Sequence, residues 1–250
     1  MTARYRAVLA YDGTAYRGFQ RQAGDTPTIQ GAIEHALHQV TRQAVTLAGA
    51  GRTDSGVHAS GQVITFDVAW SHTPADLQRA LNANLPGDIA LQLVEQAAAD
   101  FHPRFDARSR TYEYTLYAAP VRQPLLDRTV WHVRRAKLLN LAAMQTAAAS
   151  LVGTRDFATF GQPPQGDNTV REVMRSAFVT IADAPQTIVY TIEANAFLYR
   201  MVRRVVGALV RVGSEQLSPQ DFVAALYAAD NTWPNQTAPA MGLCLVNVRY

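Results

Sequence analysis

This chain of 250 residues has one cysteine, one lysine and few charges, which make up only 17% of its residues. Cys244 alone can form no internal disulfide and no thiolate zinc cluster, and such thiol usage fits a reducing cytoplasm. No apolar run reaches spanning length, and Met1–Ala10 mixes Arg4 and Arg6 with apolar residues, so neither a membrane anchor nor a signal peptide is expected. No low-complexity tract argues for disorder, and 48% hydrophobic residues are enough to fill a core. Lys137 is the only lysine among 23 basic residues, so the cationic character is almost wholly arginine. Net charge is only +3, a weak signal, but arginine offers a planar fork for phosphate and a face that stacks on bases. A codon bias toward arginine would give the same count, so the positions of the arginines must decide.

The stretch Gly49–Gln62, G-A-G-R-T-D-S-G-V-H-A-S-G-Q, carries the sharpest signal. It sets Asp54 between Arg52 and a turn closed by Gly56, with strand-like runs at Val45–Ala50 and Val63–Val68 on either side. A glycine-rich loop between strands lets backbone approach a ligand, and a carboxylate held beside an arginine suits a nucleophile or a base. Asp-Ser-Gly is also ordinary turn chemistry. Asp54 and His58 make a poor metal pair, since i, i+4 spacing serves metals on a helix and this segment is not helical. His58 is expected to pack or to donate a structural hydrogen bond.

Helix starts are legible. Thr26-Pro27, Thr73-Pro74 and Ser218-Pro219 each pair a capping hydroxyl with proline at the first helical position, and Asn140 caps a fourth helix through Leu141 and Met144 that stops by Gly153. Strands are expected at Tyr5–Tyr11, Val45–Ala50, Val63–Val68, Ile89–Val94, Arg110–Tyr117, Ser176–Ala182, Thr187–Ala194 and Leu243–Tyr250. Without a regular βαβ rhythm, this pattern predicts an α+β fold with helices on one face of a sheet, in two halves, 1–104 and 105–250, meeting near Phe101–Arg108.

Two further segments bear functional groups. In Arg110–Tyr117, Tyr112, Tyr114 and Leu116 share one strand face, where a tyrosine either fills the core or stacks on an unpaired base; Tyr114 is expected in the core. In Phe197–Arg211, read as a helix, Arg200, Arg203, Arg204 and Arg211 fall within an arc of roughly 100°. Gly207 lies in that stripe, with room for a close partner. The loops Tyr11–Gln22 and Phe101–Ala107 add arginines and aromatics that suit an RNA surface.

The chain resembles the tRNA pseudouridine synthase A family in six ordered blocks: Y-D-G-T-A-Y-R-G-F-Q-R-Q from Tyr11, G-A-G-R-T-D-S-G-V-H-A from Gly49, F-H-P-R-F-D-A from Phe101 with R-T-Y-E-Y from Arg110, G-T-R-D-F from Gly153, F-L-Y-R-M-V-R-R-V-V-G from Phe197, and A-P-A-M-G-L from Ala238. The resemblance implies an isomerase that converts uridines 38, 39 and 40 of the tRNA anticodon arm to pseudouridine, in the cytoplasm and without metal or organic cofactor. It implies two α/β halves sharing a continuous, mostly antiparallel sheet, a basic cleft between them, and a homodimer. It maps the nucleophile onto Asp54, the active-site tyrosine onto Tyr112, the basic partner of the aspartate onto Arg203, and the arginine that holds out the flipped base onto Arg52. Arg200 and Arg204 are expected to bind the RNA. Phe19 stands where tryptophan is usual, Arg155 where histidine is common, Glu172 where threonine is common, and Cys244 where tyrosine is frequent. These departures touch expected RNA contacts, not the reaction. Two rival readings are an RNA-binding module without catalysis, and a hydrolase pairing Asp54 with Asp12, Asp106 or Asp156.

Overall fold

The computed structural model describes residues 1–134, 138–163, 166–234 and 236–250. In chain order the elements are β1 (Thr2–Tyr11), α1 (Ile29–Thr41), β2 (Ala48–Gly49), β3 (His58–Ala69), α2 (Pro74–Asn84), β4 (Ile89–Gln96), β5 (Ser109–Ala118), β6 (Trp131–Val133), α3 (Leu141–Ala149), β7 (Gly153–Asp156), β8 (Val170–Ile181), β9 (Ala184–Ala194), α4 (Met201–Gly213), α5 (Pro219–Ala228) and β10 (Leu243–Arg249). The class is α+β, as the sequence pattern predicts. The residues form two compact units: Met1–Arg108 with Cys244–Tyr250, and Ser109–Leu243. A lengthwise division into 1–104 and 105–250 leaves the last strand with the C-terminal half. In the structure β10 lies with the first unit, where it pairs with β3 in parallel, Cys244 opposite His58 and Leu245 opposite Ala59.

In the first unit the strand order is β4-β1-β3-β10, with β2 on β3. β1 runs antiparallel to both neighbours, and its alternate residues Tyr5, Ala7, Leu9 and Tyr11 are buried. Tyr5 stacks on Phe66, its register partner across the ladder, with ring centroids 5.9 Å apart. The β1–β3 ladder changes register between Leu9 and Tyr11, where β1 runs out into the Tyr11–Gln22 loop and β3 emerges from the Asp54 loop. Such irregularities re-aim the backbone at the end of a ladder.

Three helix starts are as the sequence predicts. Asn140 caps α3 by accepting from Ala143 N at 3.0 Å. Thr73 caps α2 through a reciprocal box with Asp76, and Ser218 caps α5 by accepting from Asp221 N at 3.0 Å, each with proline next. The first helix starts later than Thr26-Pro27 suggests. Thr28 is its cap, accepting from Gly31 N at 3.2 Å. The Pro27 carbonyl is taken by Arg17 N at 2.8 Å, which holds the Thr26–Pro27 segment outside the helix. The expected strand Val45–Ala50 shrinks to Ala48–Gly49, the pair in register with Thr65 and Ile64.

In the second unit the order is β5-β9-β8-β7, antiparallel throughout, with β6 parallel to β5. β8 and β9 form a hairpin that turns at Ala182–Asp183, with Ile181 opposite Ala184. Tyr114, Tyr190 and Leu116 fill its core, and α3, α4 and α5 pack together. α4 is two-sided: Met201, Val202, Val205, Val206, Ala208, Leu209, Val210 and Val212 are buried, while Arg203, Arg204 and Arg211 lie half-buried on one side. Such a helix sets an apolar face in the core and keeps its charged side chains together on the other side.

Candidate active site

The Asp54 loop is held on several sides by its own unit. Ala50 N bonds Val63 O at 2.8 Å, and Gln62 Nε2 bonds Gly51 O at 2.9 Å. Thr53 is buried; its carbonyl accepts from Phe19 N at 3.0 Å, and its hydroxyl lies 2.8 Å from the Tyr11 hydroxyl. Val57 N closes a turn on Asp54 O at 3.1 Å. Gly56, third in that turn, has φ +76°, which L-residues with a side chain adopt only at a cost. Ser55 Oγ and Gly56 N both reach the Tyr16 carbonyl, at 3.1 and 3.3 Å. Asp54 itself is half-buried and Arg52 is exposed. The arrangement fixes the backbone on both sides of one carboxylate.

The aromatics of the Tyr11–Gln22 loop face inward, while its arginines stay exposed. Tyr11, Tyr16 and Phe19 are buried, and Tyr16 donates to Asp88 Oδ1 at 2.6 Å. Burial and the Asp88 carboxylate together push the Tyr16 phenol well above its ordinary range. Arg17, Gln20 and Arg21 are exposed, with Arg21 3.0 Å from Glu34. Phe19, at a position where the family resemblance leads one to expect tryptophan, packs on Tyr11 rather than facing solvent. His58 is buried, and its Nδ1 lies 3.1 Å from Gly13 N and 3.2 Å from Asp12 Oδ1. Gly13 N–H can only donate, so Nδ1 serves as the acceptor there and the Asp12 approach is not a second hydrogen bond through the same lone pair. His58 is structural, as expected, though it accepts at Nδ1.

The other expected site residues are in the second unit. Tyr112, on β5, is buried to 9% exposure and meets Phe197 edge-on, with centroids 5.1 Å apart. Tyr114 is fully buried and donates to Pro239 O at 2.7 Å, a core residue as expected. Arg200 is not part of the helix. It is the residue before α4, exposed, with φ +59°, and its guanidinium lies 4.8 Å from the Tyr199 ring centre. Arg204 is half-buried on the first turn of α4.

The four arginines do not form one open stripe. Arg203 Nε donates to Ala238 O at 2.8 Å, and Ala238 N bonds Arg203 O at 3.0 Å. Arg211 reaches Pro234 O at 3.3 Å and lies over Trp233 at 5.6 Å. Gly207 does have a close partner, but it is this chain's own backbone: a Cβ there would come within 1.7 Å of Gln236 O. Helical spacing shows which residues share a face and says nothing of a distant segment lying across it. The contacts of Ala238 with Arg203 and of Gln236 with Gly207 are of that second kind, and no spacing along the chain foretells them.

The acids named for a hydrolase have local work. Asp12 Oδ1 accepts from Thr14 N at 2.9 Å, Asp106 Oδ2 from His102 N at 2.9 Å, and Asp156 Oδ1 from Ala158 N at 2.9 Å. Each closes a turn two to four residues long, the usual duty of a loop aspartate. Arg155 likewise spans Ser150 O and Val152 O at 2.8 and 3.1 Å. Glu172 is exposed, and Cys244 Sγ lies 3.9 Å from Ser60 Oγ.

A family model described as tRNA pseudouridine synthase matches residues 7–106 and 147–250. The chain belongs to the tRNA pseudouridine synthase family, enzymes that isomerise uridine to pseudouridine in tRNA. It is 40% identical over 250 residues to tRNA pseudouridine synthase A of Neisseria meningitidis serogroup B, covering 99% of this chain and 92% of that one. It is 43% identical over 249 residues to the protein of that name from Brevibacillus brevis, covering 99% of both, and 38% identical over 248 residues to the one from a Thermotoga species, with the same coverage. The α+β architecture agrees with that family's fold. Among the described residues no helix is long and apolar enough to cross a membrane.

Proposed function

We propose that this enzyme modifies uridines 38, 39 and 40 in the anticodon arm of tRNA, with Asp54 as its nucleophile. The observation that carries the assignment is the clamped turn around Asp54, whose flanking residues Thr53, Ser55, Gly56 and Val57 are all tied by hydrogen bonds. A carboxylate so fixed loses little freedom on meeting a substrate, which is how positioning lowers a barrier. The reaction breaks the N1–C1′ bond of the uridine, turns the uracil and rejoins it to C1′ through C5. Three routes suit an ionised carboxylate: attack on C1′, attack on C6, or removal of the C2′ proton.

The target base leaves its stack first, at a cost of a few kcal/mol, and arginines on phosphates offset that cost. Arg52, Arg200 and Arg204 take that part in this reading, Arg52 beside the displaced base. Tyr112 lies against the uracil and aids loss of the C5 proton after reattachment. Arg203 is the basic partner that orients Asp54. No metal or organic cofactor enters any step. The enzyme works in the cytoplasm, as a homodimer.

Asp54→Asn, incubated with tRNA transcribed without modifications, is expected to yield no pseudouridine while binding the RNA normally. Turnover near that of the unmodified protein would remove Asp54 from the role. Mapping of the product positions tests the anticodon-arm assignment, and sedimentation of the free protein tests the dimer.

A further inference from the structure

We infer that the segment Gln236–Gly242 is a clip that fixes the Arg203 guanidinium relative to strand β5, and that Gly207 and Tyr114 are positioning residues for the reaction through it. The inference rests on the proposed role of Arg203. The segment contains most of the A-P-A-M-G-L block, to which the chemistry above gives no part.

At its start, Gln236 O sits so close to Gly207 that a Cβ would lie 1.7 Å from it. That approach brings Ala238 onto the first turns of α4, where it exchanges two hydrogen bonds with one residue. Ala238 N donates to Arg203 O at 3.0 Å, and Arg203 Nε donates to Ala238 O at 2.8 Å. The second bond uses the Nε–H and so sets the rotation of the guanidinium plane, leaving its two terminal nitrogens pointing along a fixed direction. One residue further on, Pro239 O accepts from the Tyr114 hydroxyl at 2.7 Å. Gly242 then lies flat against the Tyr114 ring, where a Cβ would be 2.6 Å from the nearest ring carbons. Tyr114 is two residues from Tyr112 on β5, with its side chain on the same side of the strand. The Arg203 charge is also felt at the Tyr114 hydroxyl, where it opposes the strong upward push of burial. The clip thus ties together, within one unit, the helix that carries Arg203 and the strand that carries Tyr112.

The ends of the clip can be cut separately. Tyr114→Phe removes the hydroxyl while keeping the ring and its volume. Gly207→Ala forces Gln236 away from the helix. Both are measured in the full chain with unmodified tRNA, alongside melting temperature and the Nε–H signal of Arg203 in arginine-labelled protein, assigned by its loss in Arg203→Lys. The expected result is a folded Tyr114→Phe enzyme with kcat reduced about tenfold or more, since small misplacements of a catalytic group are costly. KM for tRNA stays within about twofold, because ground-state binding is untouched. The acid limb of the rate profile moves to higher pH, and the Arg203 Nε–H signal exchanges faster with solvent. Gly207→Ala shows the same changes more strongly.

If the signal, kcat and pH profile of both variants match the unmodified protein, the clip has no positioning role. A lower melting temperature with an unmoved pH profile and unchanged kcat overturns it equally, because that is what a purely structural contact gives. Arg203→Ala separates the two claims. Normal turnover there would sink the role of Arg203 itself. Lost turnover in Arg203→Ala with normal turnover in both clip variants would sink the clip alone.

Discussion

The Tyr11 hydroxyl lies 2.8 Å from Thr53 Oγ1, both residues are buried, and Thr53 immediately precedes Asp54. One strand end thereby touches the turn that bears the candidate nucleophile. Tyr11→Phe leaves the ring in place and removes the hydroxyl bond, worth about 1 kcal/mol in a folded protein. The expected outcome is a slightly less stable enzyme with kcat lowered several-fold and KM for tRNA little changed. Steady-state kinetics with denaturant unfolding checks it; a change in KM alone would count against a positioning role for this pair.

Gly56 tests the same loop from its other side. Its φ of +76° puts a side chain at that position at a disadvantage of about 1–2 kcal/mol. Gly56→Ala is expected to keep the fold and to lose kcat by about tenfold or more through movement of the Asp54 turn. Normal kcat in a folded variant would show that the turn geometry is not needed.

Arg200 is exposed and Arg204 half-buried, while Arg203 and Arg211 donate to carbonyls of their own chain. Arg200 and Arg204 are expected to reach phosphates, so the Arg200→Ala, Arg204→Ala double variant should weaken tRNA binding and lower the salt slope of affinity by about one for each phosphate no longer neutralised. Arg211 is tied to Pro234 O and Trp233. Arg211→Ala should therefore leave the salt slope unchanged and reduce the melting temperature instead. Filter binding over a range of salt concentrations distinguishes the two.

Acid stability has an identifiable contributor at the start of α2. The Thr73 hydroxyl and amide hydrogen bonds hold the Asp76 carboxyl below its ordinary range, with help from Arg79. A carboxyl whose pKa is depressed on folding adds stability that is present above its unfolded value, near pH ~4, and is lost as pH falls through the folded value. Asp76→Asn removes that contribution. The variant is expected to be less stable than the unmodified protein at neutral pH, with the difference shrinking below pH ~4. Thermal unfolding at several pH values reads it directly.

Local chemistry was the legible part of this fold. Proline after a capping hydroxyl marks α2 and α5 correctly, because both signals act within one turn. The same signal at Thr26-Pro27 misses by two residues, since the Pro27 carbonyl is taken by Arg17, ten positions earlier. Alternation marks β5 and assigns Tyr114 to the core, but it does not show that Tyr112 meets Phe197 across the unit. The aromatics of the Tyr11–Gln22 loop read as surface because their partners, Thr53 and Asp88, are remote in sequence.

The sequence by itself determined the class of fold, the family and the residue types that can act: one carboxylate on a glycine-rich turn, tyrosines on a strand, and arginine as nearly the only cation. These depend on local spacing and on ordered motifs, which the linear chain carries in full. Only the tertiary structure decided which of those groups are held and by what. Thr53, next to Asp54, is held by a tyrosine 42 residues away in the chain, and Arg203 is aimed by a carbonyl 35 residues away. Such bonds form where separate elements pack together, and no periodicity along the sequence encodes them.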